Sequence, residues 1–297
     1  MNFYSIKDLE VYSGIKAHTI RIWEKRYNLL EPSRTDSNIR YYDDHQLIKL
    51  LNIATLLESG WKISNISRLD RNRLMTETEK CLHKHSDHAY AIPINGMIAG
   101  MFSFDETGIR KIIDSCFRRL GIGVTFKEII YPLLHRIGMM WRTEEISPAQ
   151  EHFISAIIRQ KILVELDKLP VQAWDAQRGV VLFLPQEEYH EIGLLVTAYL
   201  LRNQHIPVVL LGSNTPVTVV QNAVNKLEPA FLITFLITQR KQQEVQVYID
   251  ALAEAFPSQK IGVACIQDLL NDIQIPENVL PLHDPDDLKK LIKQNPA

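Results

Sequence analysis

Residues 5–47 read SIKDLEVYSGIKAHTIRIWEKRYNLLEPSRTDSNIRYYDDHQL, and this stretch decides the architecture of the amino-terminal region. Ser5 and Asp8 are spaced to start a helix that runs to Ser13-Gly14, and a second helix starts around Ala17-His18-Thr19. A short helix, a glycine turn and a second helix make a helix-turn-helix. The second helix carries Arg21, Lys25 and Arg26 with Trp23 and Tyr27 interleaved. Such a helix can enter a major groove, its cationic groups reaching base edges or phosphates. Arg34 and then Asn38-Ile39-Arg40-Tyr41-Tyr42 supply a turn and a short strand, which suits a β-wing with Arg40 and Tyr41 along the phosphate backbone. Asp43 then caps a helix bearing Leu47, Leu50, Leu51 and Ala54.

Beyond this unit the pattern changes twice. Residues 76–90, TETEKCLHKHSDHAY, lack a hydrophobic period and read as a linker, its His83, His85 and His88 with Cys81 fitting no standard zinc spacing. Residues 92–170 are helical. A first helix lies around Ile94–Phe102. Asp105 caps a second, with Ile109, Ile112, Ile113 and Phe117 on one face. Thr125 and Glu128 read as a capping box before a third helix, which Pro132 should kink, and Ser147-Pro148 with Gln150 opens a fourth that runs towards Leu166. A four-helix bundle buries these faces most simply.

Residues 178–295 alternate strand and helix. The strands Val180–Leu184, Val208–Leu211, Phe231–Ile237, Ile261–Cys265 and Val279–Leu282 are unbroken apolar runs, as in a parallel sheet covered on both faces. This predicts a doubly wound, flavodoxin-like α/β domain whose ligands bind at the carboxyl ends of the strands. The expected organisation is thus multidomain, α and α/β: a winged helix-turn-helix over 1–75, a linker over 76–91, a helical bundle over 92–172 and an α/β domain over 177–297.

The composition agrees with a DNA-binding first domain. Residues 1–75 hold 12 Lys and Arg against 9 Asp and Glu, and the remainder 21 against 26, so the first domain is positive and the rest of the chain, taken together, negative. No run of eighteen apolar residues and no signal-peptide pattern appears, and Cys81, Cys116 and Cys265 are scattered. A cytoplasmic protein with reduced thiols and no membrane span is expected.

The 5–47 stretch resembles the MerR-family winged helix-turn-helix, particularly the branch with the pattern R-x-W-E-x-R-Y, and the resemblance covers roughly residues 3–72. It implies DNA contact through the second helix and the wing, which maps onto His18, Thr19, Arg21, Lys25, Arg26, Arg34, Arg40 and Tyr41. The cysteines that follow the dimerisation helix in the family's metal sensors are absent.

After the first α/β strand, a histidine stands on a loop where a ligand should bind, and Glu188 is placed to accept a hydrogen bond from the ring nitrogen of His190 turned away from that ligand. Gly193 would let a bulky group approach the helix start. The pattern Glu188-x-His190-x-x-Gly193 resembles the (D/E)-x-H-x-x-G motif of the cobalamin-binding fold. That resemblance implies His190 as lower cobalt ligand in place of the cofactor's own nucleotide base, and Thr234-Phe235-Leu236 as the counterpart of the S-x-L element lining the space for the displaced base. A third family element, a glycine pair after the fourth strand where the nucleotide tail passes close to the backbone, is replaced here by Gly262-Val263-Ala264-Cys265.

In the middle segment Trp141 and Glu151-His152 resemble the helical cap of MerR-like photoreceptor regulators that hold adenosylcobalamin, where such residues enclose the adenosyl face. Light-sensing members carry a His directly after this Trp; Arg142 stands there instead. The expectation is a regulator rather than an enzyme, with cobalamin or its adenosyl form as cofactor, an operator duplex and further copies of itself, as dimer or tetramer, as partners. Two rivals are a cofactor-free sensor half controlled by a protein partner and a corrinoid carrier for methyl transfer; the latter needs a separate substrate domain, for which the chain is too short.

Overall fold

The structure, a computed structural model, describes residues 3–34, 38–83, 90–142, 146–238, 240–265, 270, 273–282 and 287. The chain divides into two units, Met1–Ile158 and Arg159–Ala297, each described by itself. Among the described residues no helix is long and apolar enough to cross a membrane.

The first unit starts with β1 (Phe3–Tyr4), α1 (Ile6–Ser13) and α2 (Ala17–Tyr27), followed by β2 (Ser33–Arg34), β3 (Arg40–Asp43) and α3 (Asp44–Glu58). The three short strands form an antiparallel sheet in the order β1-β3-β2, with Tyr4 opposite Tyr42 and Arg34 opposite Arg40. Both expected caps are present. Ser5 and Asp8 satisfy each other's backbone, and the Asp43 carboxylate accepts from the Gln46 N–H at 2.9 Å. Trp23 and Tyr27 lean on a cluster of Leu29, Ile53, Leu56, Ile66 and Leu74, so the aromatics interleaved with the basic residues of α2 are packing groups.

The expected linker is helical over its first half. After α4 (Ile63–Ile66), α5 spans Arg71–His83, opened by Asp70, whose carboxylate accepts from the Arg73 N–H at 2.8 Å. Its inward seam is Leu74, Thr78 and Cys81, and the Thr78 hydroxyl donates to the Leu74 carbonyl at 2.8 Å. A threonine that satisfies its own hydroxyl can occupy an apolar seam, and this hides the helical period. Of the linker residues, His85 and His88 lie outside the described residues, as does the His83 side chain.

α6 (Ala91–Ser103) packs against α3, and the Phe102 ring stands edge-on to Tyr4 at 5.8 Å. The winged domain and the bundle helices up to Ile158 therefore fall in one unit. α7 (Glu106–Thr125) is capped by Asp105, which accepts from the Gly108 N–H at 2.9 Å. The expected Thr125–Glu128 box does not form. Thr125 is buried and helical (φ −59°, ψ −40°), and the break falls earlier at Gly121 (φ 74°, ψ 163°), a conformation essentially reserved for glycine. A π-helical turn at Phe126–Ile130 then leads into α8 (Tyr131–Arg142). The distortion expected of Pro132 takes this form, since its ring cannot fit against a regular preceding turn. α9 (Pro148–Asp167) opens with the Ser147 N–H donating to Gln150 at 3.0 Å; the boundary between the units falls inside it, not at the expected 172–177.

The second unit contains β4 (Val180–Phe183), α10 (Ile192–Asn203), β5 (Val208–Gly212), α11 (Val217–Leu227), β6 (Phe231–Leu236), α12 (Gln242–Ala255), β7 (Lys260–Cys265) and β8 (Val279–Leu282). All five strands are parallel, in the order β5-β4-β6-β7-β8. Each expected strand is present to within about a residue, the usual scatter of element ends. The register assigns the faces. Val181, Phe183, Leu232, Leu236, Ile261 and Val263 pack with Val220 and Val224 of α11 and with Val245, Ile249 and Leu252 of α12. By strand alternation Leu182, Ile233, Phe235, Gly262 and Ala264 belong to the opposite face, the one α10 covers.

Candidate DNA interface and cofactor site

The turn between α1 and α2 is held by one carboxylate. Gly14 takes the left-handed conformation (φ 73°), and the Glu10 side chain then accepts from the Ala17 N–H and the Lys16 ammonium, each at 2.9 Å. The Ala17 backbone bond, and then Lys16, hold the Glu10 carboxyl below its ordinary pKa. On α2 the buried anchor is Ile20, while His18, Arg21, Lys25 and Arg26 are exposed and Thr19 is half-buried. His18, Arg21 and Lys25 follow one another at three- and four-residue spacing and share a face.

The wing is tied to this helix by Glu24. Its carboxylate accepts from the Tyr42 hydroxyl and pairs with Arg40 Nε at 3.4 Å, the Glu24 side chain being only 9% exposed. Burial, and then the Glu24 carboxylate, push the Tyr42 hydroxyl well above the usual tyrosine range. Arg34 donates to the Asn38 side chain at 2.6 Å across the turn of the hairpin, whose residues 35–37 lie outside the described ones. Tyr41 stands edge-on to Phe3 at 5.0 Å. The eight residues expected to meet DNA thus belong to two joined elements, α2 and the β2–β3 hairpin. Glu10 and Glu24, which position them, are the residues that reading the sequence missed; nothing local distinguishes a tethering glutamate from a solvated one.

In the second unit the loop after β4 returns to the sheet through Glu188. This side chain is fully buried. One carboxylate oxygen accepts from the N–H groups of Tyr189 (3.1 Å) and His190 (3.2 Å) and lies 2.6 Å from His190 Nδ1. The other accepts from the N–H groups of Ile237 (3.0 Å) and Thr238 (2.7 Å), just beyond β6. Burial alone would raise the carboxyl pKa; the hydrogen bonds from His190, Thr238 and Ile237 outweigh it and hold the group at about 2. The Thr238 hydroxyl lies 3.4 Å from the same ring nitrogen, while the His190 side chain is 59% exposed. The strand order reverses direction between β4 and β6, and these loops sit at that switch point, where open α/β sheets bind ligands. An imidazole oriented through Nδ1 by an ionised carboxylate is a strengthened metal ligand.

Other expected site residues are placed differently. Thr234 and Leu236 do not share a face with Gly193. Both point to the α11–α12 side, where Leu236 joins the core and the buried Thr234 hydroxyl lies beside that of Tyr248. It is Phe235 that meets Gly193: a Cβ added at Gly193 would lie 2.9 Å from Phe235 Cε1. The bulky group for which this glycine makes room is a side chain of the protein itself. An unbroken apolar run gives no clue to which alternate residues face which layer, so the strand's parity was not readable. The Glu188–His190 pair fits the cobalt end of a corrinoid, and the Phe235 ring stands against the start of α10.

Glu151 and His152 open α9, with His152 Nδ1 2.6 Å from the Glu151 carboxylate and the Ser155 hydroxyl donating to that carboxylate at 2.7 Å. His152 is 75% exposed. Trp141 lies in the last turn of α8, and its side chain is outside the described residues. These three belong to the first unit and His190 to the second.

Comparison with known proteins matches the amino-terminal and the middle segments to known families. Residues 4–72 match the model of the MerR HTH family of regulatory proteins, and residues 93–164 match that of the B12 binding domain. The chain is 29% identical to the HTH-type transcriptional repressor CarH of Myxococcus xanthus over 86% of its own length and 85% of the relative's. It is 26% identical to the repressor CarA of the same organism, over 85% of this chain and 83% of that one. Among solved structures, the Methanosarcina barkeri monomethylamine corrinoid protein matches with a TM-score of 0.52 at 12% identity, covering 67% of this chain and 96% of that one, which bears on the fold alone. The relatives matched over most of the chain are regulators and not enzymes. The chain thus carries a MerR-type helix-turn-helix at its amino end and a B12 binding domain in its middle, and over most of its length it is similar to transcriptional repressors.

Proposed function

We propose that this regulator is a cytoplasmic repressor that binds its operator as a homo-oligomer, dimer or tetramer, and that a cobalamin-type corrinoid held by its carboxyl-terminal half controls the assembly. The observation that carries the reading is the buried Glu188 carboxylate holding His190 at the switch point of the sheet, which suits the imidazole to serve as lower cobalt ligand. Trp141, Glu151 and His152 are assigned to the upper face, where an adenosyl group would lie. Repression is inferred from CarH and CarA.

On the DNA side, Arg21, Lys25 and Arg26 of α2, with His18 and Thr19 at its start, are assigned to the major groove, and Arg34, Arg40 and Tyr41 to the flanking phosphates. One winged domain buries too little surface for tight specific binding, so repeated half-sites and several copies are required. A bound corrinoid, held through His190, would supply a rigid group. It shifts the assembly only by its differential affinity for the two states, about 2.7 kcal/mol for a 100-fold preference.

The test is an absorption spectrum of the protein after incubation with adenosylcobalamin, or with the nucleotide-free cobinamide, followed by desalting. Retention of either corrinoid, lost in His190→Ala, supports the reading. Retention of neither refutes it and turns the search to a protein partner. Operator binding is read separately: Arg21→Ala should weaken it by about 1–3 kcal/mol with corrinoid uptake intact.

A further inference from the structure

If a corrinoid sits on His190, anything hanging below its ring must pass between the start of α10 and the strands β6 and β7. That is the α10-facing side of the sheet, lined by Ile233, Phe235 and Ala264. Among the described residues it is crowded at three points. The Phe235 ring comes within 2.9 and 3.2 Å of where a Gly193 Cβ would stand. A Cβ at Gly262 would lie 2.8 Å from Leu282 and 3.4 Å from Ile233. Ala264 carries its methyl on the same face, at the level of Phe235. A planar base needs roughly 3.5 Å to each wall, so about 7 Å between helix and strand. Here the wall of α10 and the ring of Phe235 are already in contact, and one aromatic side chain fills the slot a base would need.

We infer that the corrinoid taken by this domain carries no nucleotide tail between α10 and β6, and that nucleotide-free corrinoids are its preferred ligand class, with Phe235 as the residue that sets the preference. The inference rests on the corrinoid reading above. Phe235 acts on the tail and leaves the cobalt end, Glu188 and His190, untouched.

The test is a spectral titration of the full chain with aquocobinamide and with hydroxocobalamin, in the wild type, Phe235→Ala and Phe235→Val. Wild type should bind cobinamide at least ten-fold tighter. Because cobinamide also lacks an intramolecular base that competes with His190, the decisive quantity is how the ratio changes. Phe235→Ala should narrow it to about three-fold or less by improving cobalamin binding, with Phe235→Val between. An unchanged ratio in a folded variant overturns the assignment to Phe235. A second readout needs no variant: wild-type protein that binds cobalamin as tightly as cobinamide, with the base displaced and the histidine on cobalt, overturns the inference outright. Binding of neither corrinoid by any form refutes the underlying corrinoid reading instead.

Discussion

Replacing Glu188 by Gln removes one acceptor from a buried group that takes up two backbone N–H groups on each oxygen and the His190 ring on one of them. The amide NH2 must face one pair of N–H donors, leaving both unmet. The native carboxyl is held at about 2 against 4.5 for the free group, a depression equivalent to roughly 3 kcal/mol of stability at neutral pH. Two lost charge-assisted bonds at about 1.5–3 kcal/mol each lead to the same order. Because the folded pKa is depressed, this stabilisation is complete above about pH 4.5 and drains away as pH falls toward 2. Urea unfolding of Glu188→Gln and wild type should therefore differ by about 3 kcal/mol at pH 7, with the gap shrinking by about 1.4 kcal/mol per pH unit below 4.5. Amide exchange across residues 231–238, where two of the donors lie, assigns the change to this unit. Equal stability at pH 7, or a gap that stays constant down to pH 3, refutes the account.

Three further outcomes follow from the geometry. Arg34→Ala should weaken operator binding across all sequences and lower the slope of log K against log salt by about 1, whereas Arg21→Ala should cost about 1–3 kcal/mol and relax the choice of base; quantitative binding over a salt series separates the two. Gly193→Ala drives a methyl into the Phe235 ring and should destabilise by about 1–3 kcal/mol, with most of the loss recovered in Gly193→Ala combined with Phe235→Leu; a melt of the four proteins checks it. Thr234→Val removes a buried hydroxyl that lies beside that of Tyr248 and away from the face of Gly193, so corrinoid uptake should not change; a fall in uptake would return Thr234 to the site.

What was legible in the sequence was whatever local chemistry writes locally. The caps at Ser5, Asp43 and Asp105, the five apolar strands and the spacing from Glu188 to Gly193 each depend on residues a few positions apart, and the structure holds them where they were expected. The errors share a different cause. α5 hides its period behind Thr78, whose hydroxyl is satisfied by its own helix. Thr125 and Glu128 have the letters of a capping box, but the backbone had already broken at Gly121. The parity of β6 is invisible because both its faces are apolar. Glu24 joins α2 to β3 across 18 residues, a distance no local rule spans.

The Glu188 staple also sets an order of events in time. Its carboxylate binds amides 49 and 50 residues further along the chain, so none of those bonds exists until β6 has docked beside β4. If closure on that scale follows the collapse of the strands, the interaction is absent from the folding transition state. Loss of Glu188 should then leave the refolding rate nearly untouched and appear as faster unfolding, by roughly a hundred-fold for a 3 kcal/mol change. The carboxylate that aims the imidazole is in this respect a latch on the native domain: it determines how long the sheet stays closed once formed.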